Sequence, residues 1–483
     1  MTTRKKPARL SWPRQEGMGR AVRPYSLKEI ADITGGRIAF GDEDRLFTKV
    51  NIDSRKTLPG DLFVAIVGER ADGHDFVAEV RDKGAGGAVC EHPVQGGDPG
   101  PDGFGILMVS STIGALRDLS SHYRRELPVQ VIGVTGSVGK TGTKDFLVSV
   151  LSQRFSTYGN PGNLNSHIGL PLAVLGIDAP YRYAVLEMAM RKRGEIGELC
   201  EISRPAVGVL TDISASHIGV LGSIEEIADA KAELLEALPR DGLAVMCGDN
   251  EHIRRMSRKA TCRKIFYGFG EENDVRAVDV RSLGSDGSSF TLVYKDDRFP
   301  LVVKVPGAHM VQNSLAAVAV GLEFGMSPHE IREGLENAQM SPMRLEVRRQ
   351  NGLVVINDAY NASPKSMRAA LDLLEEIKGE RKVAVLGDML EMGSYGPEAH
   401  REIGKYAAGK ADLLVAVGDL SIEIVKGWNE TGTRKTSSWF GGKEEAQEYL
   451  GNILRRGDVC LVKASRGMGF ESIVAFLDRL GEL

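Results

Sequence analysis

The residues best suited to chemistry lie in a glycine-containing loop, Gly133–Thr141, which reads GVTGSVGKT. A β-branched apolar run, Val129–Val134, precedes the loop, and an apolar-periodic segment, Phe146–Leu151, follows it. A strand, a glycine loop and a helix in this order point backbone N–H groups at an anion, and the helix dipole adds about half a positive charge there. We therefore expect Lys140 to reach the outer phosphates of a nucleotide and the Thr141 hydroxyl to face Mg²⁺.

The loop departs from the common phosphate-binding pattern at one position. That pattern places a glycine six residues before the lysine, where this chain has Val134. Gly133 and Gly136 flank the position, which indicates a shorter variant of the loop. A glycine turn on the surface is the alternative, but Gly-Lys-Thr between a strand and a helix is a specific signal for phosphate binding.

Polar residues follow the neighbouring predicted strands, where open α/β sheets bind their ligands. The predicted strands and the residues after them are Tyr183–Leu186 with Glu187, Ala206–Ile213 with His217, and Leu243–Met246 with Asp249 and Asn250. Together with Thr141, Glu187 and His217 would offer Mg²⁺ oxygen ligands and one imidazole. Taken singly, Glu187 could cap a helix and His217 could be an ordinary loop histidine, but their shared edge favours a metal site.

Lys231 lies on the apolar face of a predicted helix. Ser223 and Glu226 predict a capping box at the start of this helix, and its apolar residues are Ile224, Ile227, Leu234, Leu235 and Leu238. Loss of hydration on such a face can lower the pKa of a lysine by up to ~3–5 units. A neutral amine reacts with CO₂ to give a carbamate, which is an anion that binds metals. The pattern alone favours the alternative, in which the stem packs and the ammonium reaches solvent.

The segment Pro306–Ala317 turns at Pro-Gly and then has a helical pattern. His309 and Asn313 are four residues apart, so they share a face of that helix. The amide of Asn313 could contact the edge of an adenine, or it could simply cap or pack.

Arg344 precedes a predicted strand that ends in Asp358, Tyr360 and Asn361. A planar cation and a carboxylate at this place could close over a nucleotide from a second domain. A surface ion pair is the alternative.

Length and composition limit the possible classes. A chain of 483 residues is too long for one core, so two to four domains are expected. The net charge of −4 gives no general attraction to nucleic acid, and no apolar run approaches the length of a membrane span. The cysteines show neither metal spacing nor a disulfide framework, which fits a reducing cytoplasm. They are Cys90, Cys200, Cys247, Cys262 and Cys460.

Residues 1–24 contain seven basic residues and one acid, Glu16. They contain no apolar stretch long enough for a signal peptide. We expect a disordered tail, or an upstream start with Met18 as the true first residue. Attraction of the tail to anionic lipid or RNA is the alternative.

The rest of the chain divides into three predicted blocks, 25–110, 111–340 and 341–483, with a break at Ser341–Pro342. The first block mixes short strands with turns. Strand and helix patterns alternate in the other two blocks, which indicates an α/β fold of parallel sheets with right-handed crossovers. The first block has strand patterns at Leu62–Val67 and Ala88–Cys90, and the last block has them at Val354–Ile356, Val383–Leu386, Leu413–Val417 and Val459–Val462.

Seven segments resemble the Mur ligases, which are ATP-dependent amide-forming enzymes of peptidoglycan precursor synthesis. They are DSRKTLPGDLFVAIVGERADGHDF (53–76), TGSVGKT (135–141), GNLNSHIGLPLAVL (162–175), LEMAMRKRGEIGEL (186–199), DAYNASPKSMRAALDLL (358–374), GDMLEMGSYGPEAHREIG (387–404) and VKASRGMGFE (462–471). The resemblance extends from about residue 25 to the end. The phosphate loop alone marks only the superfamily, whereas DAYNASP and GDMLEMG resemble the member that joins D-alanyl-D-alanine to UDP-N-acetylmuramoyl-tripeptide.

The resemblance implies a three-domain α/β architecture. A small N-terminal domain (25–110) would bind the UDP-sugar peptide, a central ATPase domain (111–340) would have a mostly parallel sheet, and a C-terminal Rossmann-like domain (341–483) would close on ATP and bind D-alanyl-D-alanine. It also implies ATP and Mg²⁺ as cofactors and a cytoplasmic location. Nucleic-acid binding and stable membrane insertion are not expected, and we expect a monomer.

The resemblance also implies roles for individual residues. Four of them, Lys140, Glu187, His217 and Lys231, would be catalytic. Glu187, His217 and Lys231 would also hold metal together with Thr141, with Lys231 acting either as the lysine or as its carbamate. ATP would be bound by Thr135, Gly136, Ser137, Val138, Gly139, Lys140, Thr141, Asn313, Arg344 and Asp358. The other substrates would be bound by Ser54, Arg55, Asn163, Asn165, Tyr360 and Asn361.

Two positions depart from the family pattern. Gly142 follows Thr141 where relatives often have Thr or Ser, which could loosen the helix start. Met343 stands where relatives often have a glycine before the arginine, here Arg344, so the family pattern does not predict the conformation of the backbone turn at this position.

Two other functions fit part of the pattern. A sister ligase, which adds a single amino acid, or a folylpolyglutamate synthase would share the phosphate loop. A nucleotide switch is the alternative outside this class, but the guanine-reading motif Asn-Lys-x-Asp does not occur in the chain.

Overall fold

Three large sheets follow one another along the chain, accompanied by a two-stranded ribbon. The computed structural model describes residues 23–68, 71–94, 103–178, 180–216 and 218–480. The predicted tail 1–24 therefore lies outside the described residues except for Arg23 and Pro24. The large sheets are mostly parallel and are joined by helices, which confirms the predicted α/β class.

The first sheet has five strands in the order β2-β7-β6-β5-β4, and only the β2–β7 pair is antiparallel. Strand β5 is shorter than predicted because the Ile66 carbonyl accepts a hydrogen bond from Gly73 and not from a neighbouring strand. The elements of this part are β1 (Tyr25–Ser26), α1 (Leu27–Thr34), β2 (Arg37–Phe40), β3 (Leu46–Phe47), β4 (Val50–Asn51), β5 (Leu62–Val64), α2 (Val77–Asp82), β6 (Gly87–Cys90), β7 (Gly105–Met108) and α3 (Thr112–Glu126).

The second sheet has nine strands in the order β16-β15-β14-β13-β12-β11-β8-β10-β9. The strands and helices are β8 (Gln130–Thr135), α4 (Lys140–Ser152), β9 (Thr157–Gly159), α5 (Gly169–Leu175), β10 (Tyr183–Glu187), α6 (Glu195–Ser203), β11 (Pro205–Leu210), α7 (Ile218–Leu221), α8 (Ile224–Glu236), β12 (Leu243–Cys247), α9 (Glu251–Met256), β13 (Arg263–Gly268), β14 (Val275–Ser282), β15 (Ser288–Tyr294), β16 (Asp297–Val303), α10 (Ala308–Glu323) and α11 (Pro328–Glu336).

The second sheet is mostly parallel, as predicted, and its exceptions are the pairs β14–β15 and β15–β16, which are antiparallel. Only two residues separate Tyr294 from Asp297, and these two residues pair across the turn. A connection this short makes a hairpin, because a parallel crossover needs a dozen or more residues.

The third sheet has six strands in the order β17-β18-β22-β19-β20-β21, and only the edge pair β17–β18 is antiparallel. The elements are β17 (Glu346–Gln350), β18 (Leu353–Asn357), α12 (Pro364–Glu376), β19 (Arg381–Gly387), α13 (Gly396–Lys410), β20 (Leu413–Val417), α14 (Ile422–Glu430), β21 (Thr436–Phe440), α15 (Lys443–Ile453), β22 (Asp458–Lys463) and α16 (Glu471–Leu477). The four predicted strands of this block are all present.

The central strand β8 lies between β10 and β11, and its residues from Val131 to Thr135 are buried. Continuous apolar strands of this kind are typical of parallel sheets covered on both faces. Helix α3 contacts α1 of the first part of the chain and α5 and α6 of the second, so it joins these two parts. No helix within the described ranges is long and apolar enough to cross a membrane.

Candidate functional site

Two positions of the loop between β8 and α4 must be glycine because neighbouring atoms leave no space for a side chain. A Cβ atom on Gly136 would lie 2.0 Å from Thr211 Oγ1, and one on Gly139 would lie 2.4 Å from Asn313 Oδ1. Gly139 also has a φ of +88°, a conformation that glycine adopts without strain. The predicted strand, loop and helix order is therefore present, and helix α4 begins directly at Lys140.

Hydrogen bonds hold this loop in shape. Ser137 N donates to the Asp212 carbonyl at 2.8 Å, and Ser137 Oγ donates to the Ser214 carbonyl at 3.0 Å. Thr211 Oγ1 donates to the Val138 carbonyl at 2.6 Å. Lys140 Nζ folds back and donates to the Gly136 carbonyl at 2.8 Å. The residues that follow β11 therefore fix the phosphate loop before a ligand binds.

Gly139→Ala is expected to weaken ATP binding by about tenfold or more, because the new methyl group would displace Asn313 and strain a left-handed backbone. Isothermal titration calorimetry with a non-hydrolysable ATP analogue measures this loss. Gly35→Ala is the matched control, since Gly35 has a φ of +64° and no atom lies within 4 Å of the new Cβ. The control should lose about 1 kcal/mol of unfolding free energy and keep its ATP affinity. Equal ATP affinity in Gly139→Ala would contradict the prediction.

The structure brings Thr141 and Glu187 together at the edge of the sheet. Thr141 Oγ1 donates to Glu187 Oε2 at 2.6 Å, and Asn165 Nδ2 donates to Glu187 Oε1 at 2.8 Å. Burial raises the pKa of Glu187, but the charges of Lys140 and Arg344 and the two hydrogen bonds outweigh burial and leave the pKa lowered. Glu187 is therefore a buried carboxylate that stays ionised.

Lys231 is buried, with 1% of its surface exposed, so the alternative in which its ammonium reaches solvent is wrong. Burial lowers its pKa well below the ordinary value; the charge of Lys140 lowers it further, while Asp212 opposes the shift. These effects favour the neutral amine. Lys140 also has its pKa lowered by burial, and there Glu187 opposes the shift.

The predicted capping box before Lys231 is only half formed. The Ser223 side chain accepts a hydrogen bond from Glu226 N at 3.1 Å and begins helix α8. The return bond is missing because the Glu226 carboxylate points to the Arg193 guanidinium, 3.6 Å away. His217, the predicted imidazole ligand, lies outside the described residues.

Asn313 contacts the phosphate loop and lies 3.2 Å from the Cβ that Gly142 would carry. Gly142 therefore makes room for Asn313, and helix α4 runs through it without a break. The adenine contact of Asn313 stays a prediction. His309, one turn earlier on α10, has its pKa lowered by burial to about 4, although Asp358 opposes that shift.

Arg344 and Asp358 enter the site from the side of the third sheet. The Arg344 guanidinium lies 4.1 Å from the centre of the Tyr360 ring, and its buried Nε has no hydrogen-bond partner among the described residues. Asp358 does not pair with it, because Lys463 Nζ lies 2.5 Å from Asp358 Oδ2. The predicted nucleotide contacts of both residues remain predictions.

Met343 adopts the left-handed backbone that a glycine would take, with a φ of +59°. We expect Met343→Gly to unfold at a higher temperature than Met343→Val, by an amount equal to about 1–2 kcal/mol, because a β-branched residue fits this conformation poorly. Differential scanning calorimetry measures the difference. Met340→Gly is the control, because Met340 has no positive φ and its replacement by glycine should not raise the unfolding temperature. Equal stability of the two variants at position 343 would contradict the prediction.

The remaining predicted substrate residues are more exposed. The Arg55 guanidinium donates to the Asp53 carboxylate at 2.8 and 2.9 Å, and the Ser54 carbonyl accepts from Lys83 Nζ at 2.9 Å. The Asn163 carbonyl accepts from Asn165 N at 2.8 Å, and the Asn361 carbonyl accepts from Lys463 Nζ at 2.8 Å. Their substrate contacts stay predictions.

Two residues of the site were absent from the sequence-based set. Asp212 follows β11, and its Oδ1 lies 2.5 Å from Lys365 Nζ and accepts from Asn250 Nδ2 at 3.1 Å. Asp212 lies between the end of β11 and His217, so its position just after a predicted strand could have identified it from the sequence. Lys365 is 153 residues away in the chain and gave no such signal.

Three sequence models of one family match most of the chain. They are the Mur ligase family catalytic domain at residues 46–124, the Mur ligase middle domain at 134–321 and the Mur ligase glutamate ligase domain at 343–466. A UDP-N-acetylmuramoyl-tripeptide–D-alanyl-D-alanine ligase of Bacillus subtilis is 37% identical over 93% of this chain and 97% of its own length. The enzyme of the same name from Escherichia coli is 32% identical over 94% of this chain and 99% of its own length.

Solved structures agree with this match. A crystal structure of MurF from Acinetobacter baumannii has a TM-score of 0.85 at 31% identity and covers 95% of this chain and 100% of its own. The MurF ligase of Thermotoga maritima in complex with ADP has a TM-score of 0.78 at 28% identity, covering 89% of this chain and 97% of its own.

Proposed function

The chain belongs to the Mur ligase family, and from that premise we propose that it joins D-alanyl-D-alanine to UDP-N-acetylmuramoyl-tripeptide at the expense of ATP. The product is the pentapeptide precursor of peptidoglycan, made in the cytoplasm. The observation that carries the proposal is the phosphate loop built against a buried, ionised Glu187 and a buried Lys231. The relatives that carry this activity in their names align with more than nine-tenths of the chain.

The reaction activates a carboxylate and then transfers its acyl group. The terminal carboxylate of the tripeptide attacks the γ-phosphorus of ATP, and ADP leaves. The dipeptide ammonium first gives up one proton, and the neutral amine nitrogen then attacks the carbonyl carbon of the acyl phosphate. The C–N bond forms as the C–O bond breaks, the nitrogen loses its second proton, and the released phosphate takes up both protons. Lys140 and the backbone N–H groups of the loop would neutralise charge on the transferring phosphoryl group.

Mg²⁺ fits the residues present. Glu187 is a buried, ionised carboxylate whose hydrogen-bond partners are two neutral groups, Thr141 and Asn165, and such a carboxylate is suited to hold a cation. With Thr141, and with Lys231 as a carbamate, it would hold the metal, and His217 would complete the set. Bound Mg²⁺ would neutralise part of the negative charge of the phosphates.

We also propose the three domains at residues 25–110, 111–340 and 341–483, and a monomer that closes them around its substrates. The charge of Arg344 supports this arrangement, because that residue belongs to the third block yet its charge lowers the pKa of Lys140 and of Glu187. Closure of this kind would exclude water from the acyl phosphate.

An acceptor assay tests the proposal. Phosphate release from ATP and UDP-N-acetylmuramoyl-tripeptide should depend on D-alanyl-D-alanine. Release with a single amino acid in its place would instead indicate a sister ligase or a folylpolyglutamate synthase. Tight nucleotide binding without turnover, with both substrates supplied, would indicate a nucleotide switch.

A further inference from the structure

The segment after β11 presents buried polar atoms with no partner. Six buried side-chain N or O atoms in the described part of the chain lack a hydrogen bond. Three of the six lie within five residues of each other: Asp212 Oδ2, Ser214 Oγ and Ser216 Oγ. Buried polar atoms are nearly always paired, so such a group indicates a ligand or ordered water. We call Asp212, Ser214 and Ser216 the acceptor cluster.

The acceptor cluster is rigidly placed beside the phosphate loop. The Asp212 carbonyl accepts from Ser137 N, and Ser214 N donates to Ser137 Oγ at 3.0 Å. Asp212 is 5% exposed and Ser216 is 8% exposed. The Asp212 carboxylate opposes the effect of burial on the pKa of Lys140 and on that of Lys231. None of these contacts uses Asp212 Oδ2 or the two free hydroxyls.

The chemistry of the cluster matches a primary ammonium group. An ammonium offers three N–H donors and no acceptor, and the cluster offers three unpaired oxygen atoms, one of them charged. The other oxygen of the carboxylate already accepts a primary ammonium, that of Lys365, at 2.5 Å. Lys365 comes from helix α12 in the third block, which is where we place the dipeptide. An α-amino group has an ordinary pKa near 8, so a free dipeptide arrives mostly as the cation.

We infer that the acceptor cluster binds the ammonium group of the incoming dipeptide and, after one proton has passed to a phosphate oxygen of the acyl phosphate, holds the neutral amine with its nitrogen toward the carbonyl carbon. The inference rests on the proposed function, and it assigns a binding role to Asp212, Ser214 and Ser216. Lys365 holds Oδ1 of Asp212, which leaves Oδ2 for the substrate.

Steady-state kinetics of Asp212→Asn and Ser216→Ala test the inference. The KM for D-alanyl-D-alanine should rise about 10- to 100-fold in Asp212→Asn and several-fold in Ser216→Ala, the scale of a charged and a neutral hydrogen bond. The KM values for ATP and for the UDP-tripeptide should change far less. Asp229→Asn is the matched control, because Asp229 also pairs with a lysine, Lys259 at 2.9 Å, but lies on the exposed side of α8.

Hydroxylamine separates binding of the ammonium from damage to the site. It is uncharged at neutral pH and traps an acyl phosphate as a hydroxamate without the dipeptide. Both variants should lose far less hydroxamate formation than dipeptide ligation. Unchanged KM for the dipeptide in both variants would overturn the inference, and so would a parallel loss of hydroxamate and ligation. If Asp212→Asn does not fold, Ser216→Ala alone decides between these results.

The same assay distinguishes failure of the inference from failure of the proposed function. Wild-type protein that forms no ATP-dependent hydroxamate from the UDP-tripeptide would refute the proposed ligase reaction itself. Wild-type protein that forms it, with variants that bind the dipeptide normally, would refute only the acceptor cluster.

Discussion

Lys231→Ala is expected to lower kcat by about 100-fold or more, the size of effect seen when a charged group that stabilises a transition state is removed. Lys231 lies on the buried face of α8, and burial holds its pKa low, so its amine is free to take up CO₂. The resulting carbamate would supply a further anion for Mg²⁺ beside the Glu187 carboxylate. The measurement is kcat from phosphate release at saturating substrates.

Small carboxylates should restore part of the activity of Lys231→Ala, because acetate or formate can fill the space of the missing carbamate. Lys259→Ala is the matched control: this lysine contacts α8 through Asp229 and Glu236, at 2.9 and 3.0 Å, but is partly exposed. The control should stay active. Full activity of Lys231→Ala would end the carbamate hypothesis, and loss without rescue would leave the lysine a structural role only.

Lys140→Met is expected to lower kcat by at least about 100-fold, since the substitution keeps the length of the stem and removes the charge that faces the phosphates. Lys140 Nζ contacts the carbonyls of Gly136 and Ser137, at 2.8 and 3.3 Å, so the ammonium already lies over the loop. Kinetics and calorimetric titration with an ATP analogue together show whether turnover falls more than binding.

Lys144→Met is the control for loss of a buried lysine from the same helix. Lys144 lies 3.1 Å from Asp145 and 3.3 Å from the Asn160 carbonyl, one turn beyond the loop. It should cost stability and leave the chemical step largely intact. An equal loss of kcat in the two variants, at equal unfolding temperature, would contradict the role of Lys140.

The local pattern predicted much of this site because strand ends, glycine turns and helix starts are short-range features. The run before Glu187 forms β10 in register with β8, so Glu187 pairs with Val134 at the edge where the phosphate loop begins. Val134, the apparent gap in the loop pattern, is simply the buried penultimate residue of β8. Parallel strands bring their carboxyl ends to one edge, and this rule alone places Thr141 beside Glu187.

Long-range contacts escaped prediction because no local pattern encodes them. The capping box at Ser223 is half formed because Glu226 turns to Arg193, a residue 33 positions earlier. Asp358 pairs with Lys463 and not with Arg344, since β18 and β22 are adjacent in the third sheet. The antiparallel pair β15–β16 depends on a two-residue turn, Lys295 and Asp296, which lacks the glycine of a strong hairpin signal.

By itself, the sequence determined the α/β class, the phosphate loop and the family, because these depend on periodicity and on residues close together in the chain. The tertiary structure decided which groups are buried and which charges lie together. It buries Lys231 away from water, brings the charge of Arg344 to bear on Glu187, and pairs Lys365 with Asp212. Burial and the pairing of distant charges arise only when separate sheets pack together, so the electrostatics of the site belong to the fold and not to any one segment.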